Sequence, residues 1–198
     1  MGAAAKAKQG NPKVSRDDWL AAARDTLVSE GVAQVKILSL SARLGVARSS
    51  FYWYFTDHGD LLSALLAEWE TRNTKCITEK CTQPAATISE ALCHFFECFI
   101  DPDLFDQGLD FAVREWARRD PDVRAKIDAA DAARLDTLIA MFMRHGYSDY
   151  EADARARIVY FMQLGYHALD VAETIETRMG RIAGYLKGFT GEVPDPEL

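Results

Sequence analysis

The stretch Ile37-Leu38-Ser39-Leu40-Ser41-Ala42-Arg43-Leu44-Gly45-Val46-Ala47-Arg48-Ser49-Ser50-Phe51-Tyr52-Trp53-Tyr54-Phe55 limits the folds open to this chain more than any other. Gly45 falls where a helix would end in a left-handed cap, a backbone region that Gly enters without steric cost. Two short helices with a tight turn between them follow from that. At about 100° per residue Phe51 and Phe55 share one face of the second helix. Leu40, Leu44 and Val46 can join them in one small core. Ser49, Ser50 and Trp53 then point the other way, with Tyr52 and Tyr54 on the flanks. A helix face meant only for water would carry Lys and Glu. Small hydroxyls and wet aromatics on a helix braced by another suit contact with a second molecule.

Two helices joined by a short Gly-containing turn form a helix-turn-helix, whose second helix enters the DNA major groove. The side chains meet that demand. Arg48, Ser49 and Ser50 at the helix start offer a cation, hydroxyls and free backbone N–H groups for phosphates or base edges. Tyr52 and Tyr54 can reach phosphates through their hydroxyls, and Trp53 can lay an apolar edge on a thymine methyl or a sugar. Lys36 and Arg43 belong to the preceding helix, which would cross the DNA backbone. The same aromatic face also fits a protein partner, and the helix pair alone leaves both readings open.

The flanking residues extend the pattern. Gly31-Val32 follows a first helix, Leu40 to Val46 forms the second, Tyr52-Trp53-Tyr54-Phe55 ends the third, and Asp57-His58-Gly59-Asp60-Leu61-Leu62 opens a fourth. In that order and spacing residues 15–66 resemble the DNA-binding domain of TetR-type transcriptional regulators. There are departures. Ala47 stands where the family usually has a Ser or Thr cap, worth about 1 kcal/mol. His58 replaces a Lys and would make a phosphate contact weaker or pH-dependent. Lys36 occupies a position often held by a hydroxyl residue. The resemblance implies a homodimer on a palindromic double-stranded DNA operator, most often a repressor. It also implies a helical body that dimerises through its last two long helices and binds a small-molecule effector. A tilt of the fourth helix would carry the signal.

The rest of the chain is read as helical too. The expected fold class is all-α, with about nine helices and neither strand-like alternation nor an internal repeat. Expected domains are a disordered basic tail (1–14), the helix-turn-helix domain (15–60), a ligand-binding and dimerisation domain (61–190) and a second disordered tail (191–198). Charge is divided in the same way. Residues 1–60 hold eight Lys or Arg against six Asp or Glu, a net of +2, which leaves −9 for the remainder of the −7 total. A basic end on an acidic body suits contact with a polyanion at that end only. No apolar run reaches the roughly 18 residues of a membrane span. The first residues lack the apolar stretch of a secretory signal, so a cytoplasmic protein is expected.

The body offers weaker signals. Trp69, Phe95, Phe96, Phe99, Phe105, Phe111, Trp116, Met141 and Phe142 are candidate walls of a largely apolar effector pocket, with His94 or His145 as a polar handle. Arg114 and Glu115 read equally well as part of such a site or as a solvated face. Phe161, Leu164 and Gly165, with Gly180 and Gly184, are candidates for the dimer interface, since small residues four apart let helices approach. Cys76, Cys81, Cys93 and Cys98 miss the Cys-x-x-Cys metal spacing and read first as buried reduced thiols. A redox- or metal-sensing regulator built on them is the alternative, beside an all-helical protein–protein adaptor. No phosphate loop, nucleophile signature or His-x-x-x-His pair occurs. Neither catalysis nor a cofactor or metal is therefore expected.

Overall fold

Ser15 opens the first helix, α1 (Arg16–Glu30), with a capping box. Its hydroxyl accepts from the Asp18 N–H at 3.2 Å, and the Asp18 carboxylate accepts from the Ser15 N–H at 2.7 Å. Two orphan donors of the first turn are thereby satisfied. In the computed structural model residues 14–194 are described, apart from Asp170 and Ala172. The expected basic tail, except Val14, lies outside the described residues, as do residues 195–198. The chain is all-α: ten α-helices and no strand occur among the described residues. It divides into two compact units, one ending at Leu65 and one beginning at Leu66.

In the N-terminal unit α1 is followed by a 3-10 turn (Val32–Gln34), α2 (Ile37–Leu44), a second 3-10 segment (Arg48–Trp53) and the start of α3 (His58–Trp69). Trp19, Ala23 and Leu27 of α1 pack with Leu40, Phe51, Phe55, Leu61 and Leu65, none more than 2% exposed. Phe51 stacks on Phe55 and meets Trp19 edge-on, each at 5.3 Å between centroids. Leu44 and Val46, expected in this core, are half-buried. Gly45 closes α2 at φ 67°, the left-handed cap that its position implied.

The recognition stretch differs from expectation in its winding. The pattern predicts an α-helix, and the structure holds a 3-10 segment over Arg48–Trp53. Ala47 at its start has no side chain to accept the first N–H groups. Ser, Phe, Tyr and Trp are also indifferent helix formers. A short segment with these deficits tightens into i→i+3 bonds, such as Ser50 N–H to Ala47 O and Tyr54 N–H to Phe51 O.

In the C-terminal unit a single helix expected to about Cys81 is interrupted. A π-helical turn (Glu70–Thr74) separates α3 from α4 (Lys75–Cys81). Asn73 in that turn is fully buried and clasps the backbone of Asp106, donating to its carbonyl and accepting from its N–H, both at 3.0 Å. Asp106 in turn caps α6 (Gln107–Ala117). Thr87 caps α5 (Ile88–Ile100), and Asp120 with Pro121 opens α7 (Pro121–Arg144). A Ser148–Glu151 capping box opens α8 (Asp149–Ala168). The last helix, expected as one piece from Ile175, is two: α9 (Ile175–Met179) and α10 (Ile182–Thr190). The aliphatic and aromatic core joins α4, α5, α7, α8 and α10 around Phe95, Leu138, Phe142 and Val159.

A buried charged cluster crosses this core. Asp110 and Arg134 have no exposed surface. Arg134 donates two bonds to Asp110 Oδ1, at 3.1 and 3.2 Å, and one to Thr74 Oγ1 at 3.2 Å. The Trp69 indole N–H donates to the same carboxylate at 2.8 Å. Arg114 bonds Asp110 at 2.8 Å and grips Asp131 with both Nη atoms, at 2.9 and 2.6 Å. Burial alone would raise the Asp110 carboxyl, yet the two guanidinium groups hold it below the usual carboxylate range. Burial pushes Tyr160, which donates to Asp131 at 2.7 Å, up to about 12. A half-satisfied cluster here would be costlier than an apolar core, and every member has partners.

Candidate functional site

The outer face of the N-terminal unit is built by contrast with its inner one. Phe51 and Phe55 are sealed, whereas Trp53 between them is 73% exposed and Tyr52 51%. Arg48, one turn before Tyr52, donates to its hydroxyl at 3.4 Å, so a cation and a phenol lie together on the surface. Ser49 is exposed. Ser50 is half-buried and donates its hydroxyl to the Ala47 carbonyl at 2.8 Å.

The other expected contacts are placed less freely. Tyr54 turns back and donates to the Val14 carbonyl at 2.7 Å, tying down the segment before α1. His58 is half-buried, and its Nε2–H donates to the Val35 carbonyl at 2.6 Å, leaving only Nδ1. Arg43 reaches across to α1, bonding Thr26 at 3.3 Å and Asp25 at 3.4 Å, while about half of its side chain stays exposed. Lys36 is exposed at the cap of α2, bonded to Gln34 at 3.2 Å. Arg48, Ser49, Tyr52, Trp53 and Lys36 are therefore exposed, bonded at most to a neighbour on the same surface. Arg43, Ser50, Tyr54 and His58 already hold protein partners.

The body contains a cavity of about 590 Å³, counting its open mouth. Phe96, Phe99 and Ile100 of α5, Met162 and Tyr166 of α8, and Arg178, Met179, Ile182 and Tyr185 line it. Of the expected pocket residues Phe96 and Phe99 are among them. Phe95, Met141 and Phe142 have no exposed surface and belong to the core. Trp69 is equally sealed and committed to Asp110, and the Trp116 indole donates to Asp120 at 3.1 Å. Phe111 and His94 are half-buried outside the cavity lining, and His94 Nδ1 is buried without a partner.

The residue that sequence reasoning missed is Arg178. Its guanidinium lies 4.2 Å over the Tyr166 ring and donates to Gln163 Oε1 at 2.6 Å. The Gln163 amide donates in turn to His167 Nε2. Burial and the Arg178 charge push His167 down to about 4, so its ring is neutral at pH 7 and can accept that bond. The cavity is thus apolar along its walls and cationic at one side.

Ile158 and Phe161 on α8 and Leu169 at its C-cap are 57%, 52% and 76% exposed, an apolar stripe at helical spacing. Leu164 and Gly165 beside it are half-buried. A Cβ placed on Gly165, Gly184 or Gly188 would meet nothing within 4 Å; one on Gly180 would meet the Glu176 carbonyl at 3.4 Å. The stripe and the open glycines therefore coincide with two of the expected interface segments. Among the described residues no group of His, Cys, Asp and Glu is placed to hold a metal ion. None of their helices is long and apolar enough to cross a membrane.

Comparison with known proteins bears on this arrangement. Residues 20–65 match the family described as bacterial regulatory proteins, tetR family. Among curated proteins none matches the chain by sequence. Solved structures that share its fold include three described as regulators. FadR, a fatty acid degradation regulator from Bacillus halodurans, is 17% identical, with 94% of this chain and 98% of that one covered at a TM-score of 0.63. The candidate transcriptional regulator SCO7518 from Streptomyces coelicolor A3(2) is 19% identical, with 89% and 98% covered at 0.60. A candidate TetR-family regulator from Rhodococcus sp. is 15% identical, with 90% and 97% covered at 0.61. These likenesses speak for the fold of both units. The family match falls on the helix-turn-helix itself, so residues 20–65 are similar to the bacterial regulatory proteins of the tetR family.

Proposed function

We propose that the protein is a homodimeric repressor, not an enzyme, which holds a palindromic operator and releases it when a small molecule enters the body. The observation that carries the DNA contact is the outer face of Arg48–Trp53, where Arg48, Tyr52 and Trp53 stand exposed on a segment whose inner face is sealed. Arg48 and Tyr52 serve the backbone phosphates, Ser49 a base edge, and Trp53 a thymine methyl or sugar. One such segment reaches too few bases for tight binding, so two copies on two half-sites are needed. The apolar stripe of Ile158, Phe161 and Leu169, with room over Gly165, Gly184 and Gly188, suits an isologous helix–helix contact.

The effector is read from the cavity. Its aromatic and aliphatic walls fit an apolar body, and Arg178, whose nearest bonded partner is a neutral amide, suits an anionic or strongly accepting head. A differential affinity of about 1–3 kcal/mol between free and DNA-bound forms is enough for a switch. The test is operator binding by Arg48→Ala and Tyr52→Ala in a salt series. Arg48→Ala should weaken binding and flatten the salt slope by about 1, as the loss of one phosphate contact does. Unchanged affinity and slope in both variants would remove this face from the DNA.

A further inference from the structure

Cys76 on α4 and Cys98 on α5 read first from the sequence as buried reduced thiols, with redox sensing as the alternative, and their spacing pairs neither with its neighbour in sequence. The fold brings them together across the two helices. Both belong to the core between α4 and α5, the Lys80–Glu97 pair spans the same two helices, and each thiol acts on the other's titration as a hydrogen-bonding neighbour. Cys98 has no exposed surface, and Cys76 is 7% exposed. Cys76 also forms part of the wall of an open cavity of about 610 Å³, counting its mouth, whose rim carries Arg72, Lys75 and Lys80 beside Glu79 and Asp103. The Lys80 ammonium lies one helical turn beyond Cys76 and is bonded at 2.5 Å to Glu97, the residue before Cys98. This cavity shares no lining residue with the one beside Arg178.

We propose that Cys76 and Cys98 are a peroxide-oxidisable dithiol, Cys76 the attacking sulfur and Cys98 the resolving one. The hydrogen-bonding Cys98 thiol and the Lys80 charge hold the Cys76 thiol below its usual range. The hydrogen bond to Cys76 and burial keep Cys98 protonated until it is needed. Burial pushes Cys81 up to about 12 and raises Cys93, so both stay thiols. A thiolate with an approach from solvent is the form that reacts. The Cys76 sulfur attacks the terminal oxygen of a hydroperoxide: an S–O bond forms, the O–O bond breaks, and the alcohol or water leaves with a proton. Cys98 then attacks the sulfenic sulfur, forming the S–S bond as the S–O bond breaks and water departs with the Cys98 proton. Two thiols lose two electrons and the peroxide gains them. A thiol reductant reverses the change.

Treating the full-length protein with hydrogen peroxide, alkylating it and mapping its peptides tests the proposal. The expected result is a mass lower by two hydrogens and a link between the Cys76 and Cys98 peptides, removed by dithiothreitol and retained in Cys93→Ser. In Cys98→Ser the sulfenic acid should persist on Cys76 and be trapped by dimedone. Four alkylated thiols in the treated wild type, or a link through Cys81 or Cys93, would overturn it. The wild-type map decides alone if a variant fails to fold.

Discussion

Arg134→Leu is expected to lower the stability of the C-terminal unit by about 3–5 kcal/mol, the cost of breaking a buried pair from one side. The side chain is fully enclosed and supplies two of the bonds to Asp110 and one to Thr74. Leucine fills part of the space but leaves a buried carboxylate with less charge to face. Arg134→Lys keeps the charge and loses the planar fork, so it should fall in between. The pH dependence changes sign. In the wild type the folded Asp110 carboxyl is held below its unfolded value, so its contribution is full above the ordinary carboxylate range. It is lost as pH falls through the depressed value. In Arg134→Leu burial works with less opposition and the carboxyl rises. Mild acid should then restore part of the lost stability. Urea titrations at neutral and mildly acid pH measure both effects. A loss below about 1 kcal/mol, typical of an exposed pair, would mean the cluster is solvated.

Phe51→Ala should cost the N-terminal unit about 3–5 kcal/mol, as removal of a buried aromatic does. In a unit that ends at Leu65 that approaches the whole of its stability. Phe51 has no exposed surface and touches the rings of Trp19, Tyr52 and Phe55. Operator binding should disappear with the unit's cooperative melting, while the C-terminal unit keeps its own transition in differential scanning calorimetry. Arg48→Ala gives the opposite pairing, a weakened DNA contact on an intact unit. If Phe51→Ala retained both wild-type affinity and the first transition, the small core would not depend on this ring.

The N-terminal unit was legible because its signals are local. A capping box at Ser15, a left-handed Gly45 and two Phe residues four apart need only neighbours in sequence to act. Even there the 3-10 winding of Arg48–Trp53 escaped, since periodicity cannot separate 3.0 from 3.6 residues per turn over six residues. The body resisted for the opposite reason. Arg114 reads as equally suited to solvent or a site until Asp131, seventeen residues on, closes over it. The π turn at Glu70–Thr74 has no composition of its own and follows from Asn73 docking on Asp106. Arg178 lies on a five-residue helix that the pattern merges with the next, which hid its turn toward the cavity. Aromatic residues were correctly plentiful, but their number says nothing about which face a void rather than a neighbour.

The four tryptophans fall into an uneven set. Trp19, Trp69 and Trp116 are at most 9% exposed, and Trp53 is 73% exposed. An aqueous quencher such as iodide therefore meets one indole in the native chain, and it is the one on the outer face of Arg48–Trp53. Intrinsic emission is expected to carry a red-shifted component that reports on a single side chain, without a label, and a blue-shifted remainder that reports on the two cores.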